Sequence, residues 1–515
     1  MRIFIQNGLI IDGSGSAPYI GDVLIVDDKI SAVGKIPATV KENAMSINAN
    51  GHVVTPGFVD IHRHADYAVF RDNFGAIELA QGITTAITGS CGLTPYPYSL
   101  DMADTLFPVF GEKPRLSSLD SFAAYKDSLS NQPLPINIGS MVGSCSIRSA
   151  VKGFDSSPFT KHEMETAKHI ADDAMAAGAL GISLGIMYQP ECYSNVQEMA
   201  EVACIASRYN GTLTAHIRGE GDSLMQSVQE VIDIAQKADV PLQISHFKCC
   251  GTENWGKGIY SAIEVIDKAR KHHQIGVDFY PYNGGATTLL SLLPPEFPRQ
   301  LWVNAGALKS ALSQKYKNWD NYVMSLGFER IVLNSLSKFT NYNGKSVAEI
   351  CANSGECPYS LIGKVLIGEE GRAGVIVMSM SPEDVDTVAR LPYASVISDA
   401  LCPQNIQTAH PRTFSAFPKI IRNFVLERQV LTIQEAIKKM TMVPAQALNI
   451  PNRGLLKPGY FADVNIFMPE RFRDISDFTK SGLLAQGMDN VMVNGKLAWT
   501  NGQVCGNYGT IIKNM

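Results

Sequence analysis

The chain has no apolar run of membrane-spanning length, no dense tract of lysine and arginine, and no glycine-rich phosphate loop. The first absence speaks against a transmembrane helix, which needs about 20 apolar residues in succession. The second, with a formal net charge of -5, removes the basic footprint by which nucleic acid is bound. The third argues against an open, doubly wound nucleotide-binding sheet. The 10 cysteines lack the spacing of a disulfide framework, and Cys249 and Cys250 are adjacent, so most are expected as buried free thiols in a reducing compartment. The start, Met1-Arg2-Ile3-Phe4-Ile5-Gln6-Asn7-Gly8, turns polar too early for a signal peptide, and a cytoplasmic location is the expectation.

What is present is 515 residues of which 45% are hydrophobic and 18% charged, enough for one large domain with additions or for two to three domains. Residues 1–54 read as short strands and turns, with Ile3 to Ile5 and Leu9 to Ile11 flanking Asn7-Gly8, a hairpin signal. Residues 449–515 have the same character, with strands at 462–467 and 491–496. Neither end has enough apolar residues for its own core, so both are expected to fold together into one small β-sandwich domain. Between 55 and 448, apolar strands alternate with amphipathic helices. Strands are predicted at 53–61, 84–88, 136–142, 181–184, 213–216, 242–246, 275–279 and 394–397, and helices at 160–177, 195–209, 224–238 and 259–272. Thr160 followed by Glu163 resembles a capping box. Eight such units predict an α/β fold, a metal-dependent (β/α)8 TIM-like barrel with its site at the strand ends. Residues 294–387 are too long for one crossover and read as an insertion able to cover that site.

The metal expectation starts at Asp60-Ile61-His62-Arg63-His64. In an extended strand His62 and His64 point to one side, and two imidazoles there are either polar residues at a strand end or a pair of metal ligands. His216 and His246 each end an apolar strand, as core histidines or as rim ligands. Cys91 lies in Gly89-Ser90-Cys91-Gly92, where it is a small hydrophobe or a thiolate brought close by flanking glycines. Thiolate ligation favours zinc. Asp399 follows the strand at 394–397 and is a cap, or a ligand and base.

Taken together, these positions give a chain that resembles the amidohydrolase superfamily, and within it the N-acyl-D-amino-acid deacylases (D-aminoacylases). The resemblance is carried by Thr55-Pro56-Gly57-Phe58-Val59-Asp60-Ile61-His62-Arg63-His64, Gly82-Ile83-Thr84-Thr85 through Cys91-Gly92, His216-Ile217-Arg218-Gly219-Glu220, Ser245-His246-Phe247-Lys248, Asp278-Phe279-Tyr280 and His410-Pro411-Arg412. It implies tight zinc binding by Cys91, His216 and His246, with His62, His64 and Asp399 at a second metal position, hence one or two Zn2+ per chain. Cys91 stands where many relatives carry a carbamylated lysine. The resemblance further implies that Lys248 and Tyr280 hold the substrate α-carboxylate, with Tyr188 nearby and Arg412 a further candidate, and that Asp399 is the catalytic acid and base. The expected substrate is a small N-acyl amino acid or short peptide, hydrolysed at its amide bond. A D-residue dipeptidase, a cyclic-amide hydrolase and an inactive barrel scaffold acting through protein contacts are the competing readings. Ala400, Ser415-Ala416-Phe417 and Ser144 depart from the family pattern.

Overall fold

A computed structural model describes residues 1–37, 44–102, 106, 109–114, 118–316, 319–402 and 408–514. The eight barrel strands follow one another as Phe58–Asp60, Ile83–Thr88, Asn137–Ser140 continued by Val142–Gly143, Gly181–Gly185, Thr212–His216, Leu242–Ile244, Ile275–Phe279 and Ala394–Val396. Every ladder between consecutive members is parallel. Their residues are almost wholly buried, as expected for parallel strands covered by helices on one side and by packed side chains on the other. The flanking helices begin where local chemistry dictates. Thr160 and Glu163 exchange hydrogen bonds as a capping box before Lys161–Ala176, and Asn195 and Glu198 do the same before Val196–Ser207.

Closure of the barrel relies on side chains as much as on backbone. Asp60, at the end of the first strand, accepts the Ser398 backbone N–H at 3.1 Å and its hydroxyl at 2.5 Å. Just beyond, Arg63–His64 pairs in parallel with Ala400–Leu401. The fully buried Arg63 donates to Ser398 at 3.1 Å and to Glu78 at 2.6 Å. First and last strands are thereby held side by side.

Both chain ends share one sheet. In spatial order it runs Gln503–Val504, Lys496–Thr500, Met488–Val493, Val464–Phe467, Val53–Pro56, Arg2–Ile10, Tyr19–Val26 and Lys29–Gly34, with Met45–Asn48 against Arg2–Ile10. The junction is the antiparallel pair Val53–Pro56 and Val464–Phe467. Ile3, Ile5, Val23 and Val54 from one end pack with Val464, Ile466 and Met492 from the other. One expectation is corrected here. Asn7-Gly8 does not turn the chain; Arg2–Ile10 is a single strand with a register shift between Ile5 and Gly8. Asn7 absorbs the irregularity with φ 61 and donates its N–H to Asp22, so the turn residues serve a β-bulge. Asn494-Gly495 does form the tight hairpin turn, with both φ values positive.

Between the last two barrel strands lies a subdomain with its own core, including Leu308, Leu333, Leu361 and Val375. It holds an antiparallel sheet of Gly285–Thr288, Gly374–Val377 and Ile331–Asn334. Among the described residues no helix is long and apolar enough to cross a membrane.

The Arg63–Glu78 pair is buried on both sides, and removing one partner leaves an uncompensated charge. Glu78→Leu is expected to lower the unfolding free energy by roughly 3–5 kcal/mol, read as a drop in urea midpoint at constant slope. A loss below about 1 kcal/mol, the range of exposed pairs, would show that closure does not depend on it.

Candidate metal centre and substrate chamber

The six side chains singled out in the sequence converge at the C-terminal mouth of the barrel. Cys91 Sγ lies 3.2 Å from His62 Nε2 and 3.4 Å from His246 Nε2. His62 Nε2 and His64 Nε2 are each 3.4 Å from Asp399 Oδ1. The His216 and His246 rings are 4.4 Å apart. Donor atoms of three groups lie within 4.8 Å of one another: His62, His64 and Cys91; Cys91, His216 and His246; and His62, His246 and Asp399. All six residues are buried.

This placement is locally demanding. Cys91, His246 and Asp399 all adopt positive φ, at 56°, 35° and 48°, in the left-handed region that side chains other than glycine, asparagine and aspartate seldom occupy. Each is held there from outside. Asp399 donates its N–H to the His62 carbonyl at 2.9 Å, and the His246 N–H donates to Asp278 Oδ1 at 2.5 Å. The Cys91 loop rests directly on glycine backbone: a methyl at Gly185 would overlap the Cys91 carbonyl, and one at Gly143 would overlap that of Gly92. Glycines on two neighbouring strand ends, as well as those flanking the cysteine, therefore permit the approach.

The electrostatics suit a cation. Burial holds His62, His216 and His246 well below the usual imidazole range, so their rings are neutral and offer lone pairs. Both ring nitrogens of His216 and the Nδ1 of His64 are buried without a hydrogen-bond partner. Burial raises the Asp399 carboxyl, but the Arg412 guanidinium 2.8 Å away and a hydrogen bond with His64 bring it well below the ordinary carboxylate range. Burial also pushes the Cys91 thiol up, a shift that a bound dication reverses, since a coordinating thiol is deprotonated. One thiol, four imidazoles and a carboxylate in this compass fit zinc or a similar borderline metal.

Next to the donors is a chamber lined by Tyr188, Lys248, Tyr280 and Arg412, all four of the remaining sequence candidates. Lys248 Nζ donates to Glu220 Oε1 at 2.6 Å. Burial opposes its charge, but Glu220 carries it above the ordinary lysine range. Lys248 and the Arg412 guanidinium lie 5.8 and 4.6 Å from the centre of the Tyr280 ring. Tyr188 packs on His216 with ring centres 4.8 Å apart. Thr287, Tyr322, Val377 and Ser379 bring the inserted subdomain and its return segment to the chamber wall.

Three contributing residues escaped the sequence analysis as individuals, although each lies in a quoted motif. Asp278 holds the His246 backbone, accepts Gln243 at 3.2 Å and stands 3.8 Å from His62 Nδ1. Glu220 bears on Lys248 and, at 3.1 Å, on His246. His410 accepts the Arg412 N–H at 3.0 Å while its other ring nitrogen meets the Gly284 carbonyl, which fixes the turn that delivers Arg412.

A barrel with a cation-ready donor cluster at its mouth and a chamber containing fixed charges is the architecture of a metal-dependent hydrolase. Amidohydrolase-family profiles match residues 53–245 and 371–498. The D-aminoacylase of Alcaligenes xylosoxydans xylosoxydans is 28% identical over 504 residues, covering 96% of this chain and 94% of that protein. The N-acyl-D-glutamate deacylase of the same organism is 29% identical over 498 residues, covering 96% and 93%. A crystal structure of N-acyl-D-glutamate deacylase from Bordetella bronchiseptica, complexed with zinc and a phosphonate mimic of the tetrahedral intermediate, superposes with a TM-score of 0.84 at 27% identity over 99% of each chain. The chain belongs to the amidohydrolase superfamily and is closely related to the D-aminoacylases.

Because Gly185 supports the cysteine loop, Gly185→Ala is expected to displace Cys91 and to yield protein with well under half of the wild-type metal content per chain, measured by elemental analysis after zinc loading. Full metal content in that variant would mean that the loop does not position a ligand.

Proposed function

We propose that the protein is a zinc-dependent N-acyl-D-amino-acid deacylase, releasing a carboxylate and a free D-amino acid. The observation that carries this reading is the pairing of a donor cluster that includes a cysteine with two buried cations a few ångströms from one aromatic ring. The similarity to D-aminoacylase and N-acyl-D-glutamate deacylase over nearly the whole chain supports it. Cys91, His216 and His246 would hold the principal zinc ion, and His62, His64 and Asp399 a second position. Bound there, zinc supplies an acidified water and a Lewis acid for the amide carbonyl.

The rest of the chemistry belongs to the chain. Lys248 and Arg412, beside the Tyr280 hydroxyl-bearing ring, receive the α-carboxylate and so place the scissile amide over the donor cluster. In doing so Arg412 exchanges Asp399 for the substrate, and Asp399 Oδ2 becomes free to act. Asp399 takes a proton from the attacking water and delivers it to the amide nitrogen as the C–N bond breaks. With the carboxylate and the amide both fixed, the substrate side chain has one remaining direction, which selects a single enantiomer.

The chamber favours a neutral substrate side chain. Its only cations among the described residues are Lys248 and Arg412, and each already faces an acid, Glu220 or Asp399. Leu93, Val109, Met187, Val377 and Leu401 line much of the rest, beside the neutral hydroxyls of Thr287, Thr288, Tyr322 and Ser379. A second substrate carboxylate would be desolvated there without a cationic partner.

Three measurements test these assignments. Asp399→Asn is expected to lower kcat by roughly 10²–10⁴-fold; an unimpaired variant would remove Asp399 from proton transfer. Lys248→Ala is expected to raise KM selectively for substrates with a free α-carboxylate, and equal kinetics on the corresponding amides and acids would place that group elsewhere. In a panel of N-acetyl-D- and L-amino acids assayed with added zinc, N-acetyl-D-methionine and -leucine are expected to be cleaved in preference to the D-glutamate and D-aspartate derivatives. Preference for the acidic pair would overturn the neutral-pocket reading, and cleavage of none would overturn the deacylase reading itself.

A further inference from the structure

We infer that Glu220 is a positioning residue shared by the metal centre and the carboxylate site, one carboxylate oxygen that selects the ligating tautomer of His246 and steers Lys248. This rests on the proposed roles of His246 as a metal ligand and Lys248 as the α-carboxylate receptor.

Three buried polar atoms form a triangle. Glu220 Oε1 is 2.6 Å from Lys248 Nζ and 3.1 Å from His246 Nδ1, and Lys248 Nζ is 2.8 Å from His246 Nδ1. An ammonium can only donate and a carboxylate can only accept, whereas a neutral imidazole nitrogen does one or the other. Two proton arrangements are therefore open. If Nδ1 accepts from Lys248, the ring proton sits on Nε2. Nε2 is the nitrogen 3.4 Å from Cys91 Sγ, on the side of the donor cluster, and a protonated Nε2 cannot ligate. If Nδ1 instead donates to Glu220, Nε2 presents its lone pair to the cluster. Lys248 then loses Nδ1 as an acceptor, and its remaining protons are free for another anion.

Glu220 is the group that makes the second arrangement favourable. It is only 6% exposed, and its own backbone carbonyl accepts the Cys250 N–H at 2.7 Å, which ties it to the strand end carrying Lys248. In this low-dielectric position one oxygen accepts from both neighbours at once. Metal ligation at Nε2 and release of Lys248 toward a substrate carboxylate are consequently two results of one proton placement.

The inference separates Glu220 from Lys248 experimentally. Zinc affinity of the apoprotein is measured by competition with a chromophoric chelator, the ligand field by the visible spectrum of the cobalt-substituted protein, and KM and kcat with N-acetyl-D-methionine. Glu220→Gln is expected to weaken zinc binding by roughly 10–100-fold, to shift the cobalt bands and to raise KM. Lys248→Met is expected to raise KM while leaving zinc affinity within about twofold of wild type. Zinc affinity and cobalt spectrum unchanged in E220Q would overturn the inference, as would an equal loss of zinc affinity in K248M. Should E220Q not fold, E220D carries the same expectations, because its shorter side chain cannot span both contacts. Wild-type protein that binds no zinc would overturn the proposed function itself, a result distinguishable from either.

Discussion

The site depends on how the barrel is closed. Asp60 and Ser398 join the first strand to the last through two hydrogen bonds in a fully buried setting, with Arg63 and Glu78 completing the joint. His62 and His64 are two and four residues beyond Asp60, and Asp399 is the neighbour of Ser398. The same bonds that close the barrel therefore set the distance from both histidines to the carboxylate. A closure made by backbone ladder alone would let the two edges slip by a residue and turn those side chains away. Here the register is pinned by side chains.

Convergence has a cost that the fold meets locally. Four imidazoles, a thiol and a carboxylate crowd into one buried cluster, and three of the backbone positions carrying them are left-handed. Such positions persist only when their surroundings over-determine them. The surroundings here are specific: Asp278 on the His246 backbone, the His62 carbonyl on Asp399, and glycines at 143 and 185 beneath the Cys91 loop. These supports lie on or just beyond four different barrel strands, the first, third, fourth and seventh. The geometry of the centre is thus a property of the whole rim and not of six residues alone.

Much of this was legible in the sequence because strand ends in a barrel are marked twice, by the end of an apolar run and by the onset of polar residues. That double mark located His62, His64, His216 and His246, and the glycines around Cys91 marked its loop. Asp399 was visible as the residue closing the last strand. Less legible were the residues whose role lies in what they touch. Asp278 sits inside an apolar strand, where an aspartate carries no signal of its partner, and its contact with the His246 N–H arises only from strand pairing. The Asn7-Gly8 dipeptide misled for the same reason. Its local preference for positive φ is real, but pairing with Tyr19–Val26 converts it into a bulge inside one long strand. The subdomain that walls the chamber reads in sequence as an insertion able to cover the site, but its apolar pattern serves its own hydrophobic core and does not single out the residues that reach the chamber.

Charge balance links the chamber to the centre. In the described structure each chamber cation is answered by one acid, Lys248 by Glu220 and Arg412 by Asp399. Both acids also face imidazoles of the donor cluster, Glu220 at His246 and Asp399 at His62 and His64. In the proposed deacylation, an incoming α-carboxylate would compete for the two cations and leave the two acids to the imidazoles. Each acid then accepts more effectively, because its competing cationic partner has been drawn away. Glu220 gains a stronger hold on the His246 Nδ1 proton, and Asp399 gains basicity from the loss of Arg412. On the proposed reading, substrate recognition at one end of the chamber would in this way be converted into proton affinity at the other.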